Sequence, residues 1–309
     1  MKNFIRHIIR HTSNIMPGSI QKKDNHPPTI VLYHTIENHQ PSFITGYKVK
    51  SVDAFREDLE FLLKHYKPVS LEEITRQTNQ KDSIHFSFDD GLKSCYTNIA
   101  PILKEKGIPA SFFINPTFVN NDKIYHRFTY ELLKTSESNL SSKYRNYENS
   151  KSLEEIAKSK GFDIEEWSLK NNPYMTLEEI KSLHNDGFLI GGHSMDHPEF
   201  YKISFEEQYK QIEKSMEWVN EHINPSIKAF AFPYTDHGIS NKLLEKAKNK
   251  NIIDISLGTA GLKHDVFPSH FQRIPMEPKS LNTAIQIFKY EHFYYKIRAI
   301  LGGNTVHRN

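Results

Sequence analysis

Ile84-His85-Phe86-Ser87-Phe88-Asp89-Asp90-Gly91 is the stretch that decides how this chain reads. Apolar and polar residues alternate from Ile84 to Phe88, the period of a β-strand. The alternation runs into two adjacent carboxylates and a glycine. Like charges this close raise one pKa unless a cation or a hydrogen-bond donor compensates. A bound metal ion is the natural compensator. One aspartate then ligates the ion while its neighbour works as a base.

Six more short strands flank this one: Thr29–Tyr33, Ala110–Ile114, Phe188–Gly191, Lys228–Phe232, Ile253–Leu257 and Phe271–Pro275. Helical patterns lie between most of them, clearest at Asp53–Tyr66, Lys93–Lys106, Phe205–Glu221 and Asn241–Lys250. Capping boxes are read at Ser70/Glu73, Ser152/Glu155, Thr176/Glu179 and Ser204/Glu207. Strand–helix alternation argues for a parallel sheet, and the strand number favours a barrel over an open sheet. The polar stretch 120–172 is too long for a simple connection and reads as a helical insertion or lid. It contains Tyr125, His126, Arg127, Tyr130 and Trp167.

The bulk composition excludes several classes. The 309 residues suffice for one large α/β domain or two smaller ones. A net charge of +3 gives no sign of general nucleic-acid binding. The single cysteine, Cys95, rules out an internal disulfide and suits a reducing compartment. No apolar run is long enough to span a membrane. Residues 1–24 break their apolar pairs with Arg6, His7, Arg10 and His11, so no signal-peptide core is present. The expectation is a cytoplasmic protein. That N-terminal segment reads as a basic amphipathic helix, fit for the inner membrane face or for packing on the domain. Residues 281–309 read as a second amphipathic, aromatic and basic helix with a tail, for which packing across the barrel floor is preferred to a membrane contact.

A second motif, His193-Ser194-Met195-Asp196-His197, follows the strand Phe188–Gly191. The His-x-x-x-His spacing suggests two imidazoles on one face of a helical turn, as in zinc hydrolases. Active sites of parallel barrels gather at the carboxyl ends of the strands, where both motifs sit. Two histidines and one carboxylate leave coordination positions open for a water. The same set fits a non-haem iron oxygenase. The chain lacks the many-stranded sandwich patterning on which such oxygenases usually build the triad.

Ser-Phe-Asp-Asp-Gly, then His-Ser-x-x-His, then Phe232-Pro233-Tyr234, in that order, resembles the polysaccharide deacetylase family (the NodB homology domain, carbohydrate esterase family 4). The resemblance covers about residues 28–275, and the insertion matches least. It implies a distorted (β/α)7 TIM-like barrel, set here at residues 25–280, with one divalent metal ion. Zn²⁺ is the default, with Co²⁺, Ni²⁺, Mn²⁺ or Fe²⁺ as alternatives. The implied activity is hydrolysis of an N-acetyl group on a sugar of a glycan or a lipid-linked glycan precursor. An O-acetyl esterase on the same metal site and an inactive carbohydrate-binding protein are the rivals.

Residue by residue, the resemblance implies Asp89 as base, Asp90, His193 and His197 as metal ligands, and the Tyr234 backbone N–H as oxyanion donor. The usual acid histidine near the end of the domain is missing, since that region reads Phe271-Gln272-Arg273-Ile274-Pro275. The first strand instead ends Tyr33-His34, which resembles the branch acting on exopolysaccharides such as poly-N-acetylglucosamine. His34 is therefore assigned as general acid. Ala231 stands where many members carry the arginine that orients the base, and Arg273 is expected to reach Asp89 from the last strand. Pro233 and Asn115 are expected to line the substrate cleft, with hydrogen bonding to backbone an equal reading for Asn115. Asp236 and His237 read better as loop residues than as substrate contacts, and Cys95 as a buried small residue.

Overall fold

The computed structural model describes residues 27–76 and 82–309. The basic segment expected at 1–24 lies outside the described residues. Eleven strands follow in chain order: β1 Thr29–Tyr33, β2 Lys67–Pro68, β3 Ser83–Phe88, β4 Ala110–Ile114, β5 Leu189–Gly192, β6 Ala229–Ala231, β7 Ile255–Gly258, β8 His264–Asp265, β9 His270–Gln272, β10 Ile274–Pro275 and β11 Thr305–Val306. Nine of them form one parallel sheet in the order β10-β1-β3-β4-β5-β6-β7-β9, with β2 added beside β3. The seven expected strands are all present, but the last is broken at Arg273. Its first half pairs with β7 and its second half with β1. That break lets one strand serve both neighbours and brings the sheet round into a TIM-like barrel.

Side chains alternate across this sheet. Val31, Tyr33, Phe86, Phe88, Phe112 and Ile190 face outward into the principal core under the helices. Ile30, Phe113, Ala229, Ala231, Ile255 and Leu257 fill the interior, closed below by Val69, Leu71 and Ile74. Gly191 faces inward where a Cβ would lie 2.6 Å from both the Ala229 carbonyl oxygen and the Phe113 ring, so only glycine fits.

Helices Val52–His65, Phe205–His222 and Asn241–Asn249 form where expected. The stretch 93–106 is instead a π-helical turn, Cys95–Ile99, running into an α-helix at Ala100–Glu105. Reciprocal capping bonds form at Ser70/Glu73 and Thr176/Glu179. The one expected at Ser152 does not, because that helix starts two residues earlier at Ser150. The stretch 120–172 is helical, with α-helices at His126–Ser136, Ser150–Ser159 and Ile164–Asn171.

Helix Ala284–Ile300 differs from expectation in two ways. It packs beside helix Val52–His65, with Phe288 against Phe61 and Tyr66, and does not cross the barrel floor. Residues 69–74 close that floor. Its buried residues Ala284, Ile287, Phe288, Tyr290, His292, Tyr294 and Tyr295 span more than one face, so it is not a one-sided amphipath. No helix among the described residues is long and apolar enough to cross a membrane.

Candidate active site

β1, β3 and β5 each carry a candidate site residue just past the last ladder residue: His34, Asp89 and His193. The Asp89 N–H donates to the Tyr33 carbonyl at 3.0 Å, and the His193 N–H to that of Ile114 at 2.9 Å. The Met276 N–H donates to the Leu32 carbonyl at 2.9 Å, which sets Glu277 beside His34. The ladder thus continues into the site and fixes where each backbone leaves the barrel.

Asp90, His193 and His197 meet. His197 Nε2 lies 3.2 Å and His193 Nε2 3.4 Å from Asp90 Oδ1. One ligand atom from each residue falls within 4.8 Å of the others. Asp90 Oδ1 is buried and makes no hydrogen bond. An anionic oxygen buried without a donor is costly. A divalent cation between these three groups removes that cost, so the donor set fits a metal of the zinc type. His193 Nδ1 contacts the Ala231 carbonyl oxygen at 2.8 Å, which leaves Nε2 free to ligate.

The turn that joins the two histidines is not helical. Ser194 and His197 both take left-handed φ angles, 66° and 61°. The His193 and Ser194 carbonyls accept hydrogen bonds from the Asn115 side-chain nitrogen. Asn115, expected in the substrate cleft, is 1 % exposed and holds this loop instead. Pro233 is likewise buried under the turn that carries Tyr234. Both side chains are thus buried in this structure.

Asp89 is held by Arg273 through two parallel bonds, Nη1 to Oδ1 at 2.7 Å and Nη2 to Oδ2 at 2.8 Å. Arg273 is fully buried, and its Nε donates to the Gly258 carbonyl at 3.0 Å. Burial works to raise the Asp89 carboxyl, but the Arg273 guanidinium overrides it and keeps the pKa below the usual range. Asp89 Oδ2 lies 3.8 Å from His193 Nε2.

His34 ends β1. Its Nδ1 and its backbone N–H both meet Glu277 Oε2 at 2.7 Å, and its ring stacks on Tyr47 at 4.5 Å. Burial would lower its pKa. The hydrogen bond and charge of Glu277, with Asp90 and Asp89 behind, raise it to about 9. Beneath it Cys95 is buried, its Sγ 3.6 Å from the His34 carbonyl oxygen.

Tyr234 has φ 56°, and its ring packs edge-on against His197 at 4.5 Å. Arg127 from the insertion lies over the other side of the ring, 4.2 Å from its centre, and pairs with Glu199 at 2.6 Å. Tyr125, also from the insertion, packs on His197 at 4.8 Å. The residues 120–172 therefore form one wall of the site.

Sequence reasoning missed Glu277, and the one available signal was an acid close behind the last strand. It also missed a second acidic group, Asp236, Asp265 and His270, whose ligand atoms converge as a metal site would. There the Arg308 guanidinium already sits between the two carboxylates. Asp236 is thus a structural loop residue, as expected, and His237 is exposed.

Comparison with known proteins agrees with this geometry. No curated protein sequence matches the chain. Among solved structures, a deacetylase of Streptococcus pyogenes, PplD, determined with acetate, superposes with TM-score 0.58 at 16 % identity, covering 87 % of this chain and 99 % of its own. IcaB from Ammonifex degensii gives 0.57 at 16 % identity over 87 % and 98 %. The BpsB deacetylase domain from Bordetella bronchiseptica gives 0.54 at 15 % identity over 82 % and 98 %. At such identities the likeness establishes a shared fold. The family profile described as polysaccharide deacetylase matches residues 76–252, more than half of the chain and the span holding Asp89, Asp90, His193, His197 and Tyr234. The chain belongs to the polysaccharide deacetylase family.

Proposed function

We propose that this protein removes N-acetyl groups from sugar units of a glycan or glycan precursor. A divalent ion held by Asp90, His193 and His197 would acidify a water and polarise the acetyl carbonyl. Asp89, ionised and aligned by Arg273, accepts the proton that the attacking water loses. The Tyr234 backbone N–H has no acceptor among the described residues, and donates to the oxygen that gains charge as the carbonyl becomes tetrahedral. One such donor is worth roughly 3–4 kcal/mol of barrier. His34 gives its proton to the departing amine, which yields acetate and a free amino sugar.

The observation that carries the amide reading is the His34–Glu277 pair. An amine leaves an amide only once it is protonated, whereas an alkoxide leaving an ester needs that help far less. A histidine kept cationic through neutral pH supplies what the amide needs. The test is acetate release from N-acetylglucosamine oligomers by the full chain, with and without chelator, for the wild type and His34→Ala. Chelator-sensitive release that collapses in H34A supports the proposal. Release from O-acetyl esters alone, little changed in H34A, establishes an esterase instead.

A further inference from the structure

The loop that carries Tyr234 is held from an unexpected direction. β11 pairs in parallel with β8, and the Asn309 carbonyl accepts from the Asn241 N–H at 3.1 Å. Between these anchors Arg308 enters the fold, with its side chain 2 % exposed. All five of its N–H donors find acceptors. Nε and Nη2 bond Asp265 at 3.0 and 2.7 Å. Nη1 bonds the backbone carbonyls of Asp236 and Ile239 at 3.1 and 3.2 Å, and Nη2 also reaches the Asp236 carboxylate. Asp236 in turn accepts from the Thr259 N–H at 3.2 Å and from Gln272 at 2.7 Å.

Asp236 lies two residues past Tyr234. The left-handed conformation of Tyr234 costs about 1–2 kcal/mol for a residue with a side chain. It persists only where the surroundings over-determine it. Thr259 Oγ1 holds the Tyr234 carbonyl at 3.1 Å from one side. Arg308 holds the Asp236 and Ile239 carbonyls from the other. These tail residues lie outside the span matched by the family profile.

We infer that Arg308 is a positioning residue for the deacetylation proposed above, on which this role rests: it fixes the loop 233–240 so that the Tyr234 N–H points at the oxyanion. A displacement of such a donor by about 1 Å costs up to roughly a hundredfold in rate.

The experiment compares full-length wild type, Arg308→Gln and Arg308→Lys. It measures kcat, KM and metal content, with amide hydrogen exchange over residues 233–240. The expected result for R308Q is faster exchange there and a kcat lower by about tenfold or more, with KM and metal content unchanged. R308K, which keeps the charge but not the fork, should recover part of the loss. Exchange unchanged in R308Q overturns the inference, as does faster exchange with unchanged kcat, or a loss of kcat matched by loss of metal. A wild type that releases no acetate from any glycan overturns the deacetylase reading and the catalytic role of Arg308 with it. Faster exchange in R308Q would in that case still establish the clasp. Should R308Q fail to fold, R308K carries the same comparison.

Discussion

Arg273 and Asp89 share two parallel hydrogen bonds inside the barrel, 2.7 and 2.8 Å long, with neither side chain more than 2 % exposed. The pair joins the break between β9 and β10 to the end of β3 and orients the carboxylate proposed as base. Lysine delivers the charge but not the fork. Arg273→Lys is therefore expected to keep its metal and to lose roughly tenfold or more in kcat. Steady-state kinetics beside metal analysis of the same preparation checks it, and equal losses of both would refute the orienting role. Arg273→Ala leaves Asp89 buried without a partner, for which a stability loss of about 3–5 kcal/mol is expected in denaturant unfolding.

As the proposed general acid, His34 is expected to set the alkaline side of the pH profile. Its acid form is the active one, and Glu277 helps raise its pKa to about 9. Activity should fall as pH rises through that pKa. Glu277→Gln removes the charge and leaves burial, which lowers the pKa. The alkaline limb should then move to lower pH, with a large loss near pH 8 and a small one near pH 6. A profile of kcat/KM against pH for the two proteins decides it; an unmoved limb would show that another group is the acid.

Asp90 is the anionic member of the candidate ligand triad, and its Oδ1 has no hydrogen-bond donor. Asp90→Asn keeps the shape and loses the charge. Its expected effect is loss of bound metal together with activity, both measured on the purified chain. A variant that keeps stoichiometric metal would exclude Asp90 as a ligand.

Gly191 faces the barrel interior with no room for a methyl group. Gly191→Ala is expected to destabilise by about 1–3 kcal/mol through overpacking, seen as a lower Tm. Unchanged stability would mean that β5 and β6 can part more easily than their packing implies.

Much of this molecule was legible in its sequence, and the limits are physical. β1 and β4 could be read to the residue because each is a short, mostly apolar run, bounded by Pro28 and His34 in one and by Pro109 and Asn115 in the other. The break at Arg273 could not, since it arises from which neighbours the last strand finds. The metal triad was legible because Asp-Asp-Gly and His-x-x-x-His are local. The left-handed φ angles of Ser194 and His197, which replace the expected helical turn, leave no mark in side-chain pattern. Arg273 was placed on Asp89 from its strand position alone. Glu277 and Arg308 were not found, because a buried charge is explained only by partners remote in sequence. The Ser152 capping pattern failed because a helix start is chosen by packing as well as by caps.

The break at Arg273 ties closure of the barrel to the site. β1 has β10 as its neighbour on one side, and Asp89 and His34 have Arg273 and Glu277 as their partners. Residues 270–277 fill the gap between β7 and β1, and the same segment carries Arg273 to Asp89 and Glu277 to His34. Closure of the wall and support of both proposed acid–base groups therefore depend on one short segment.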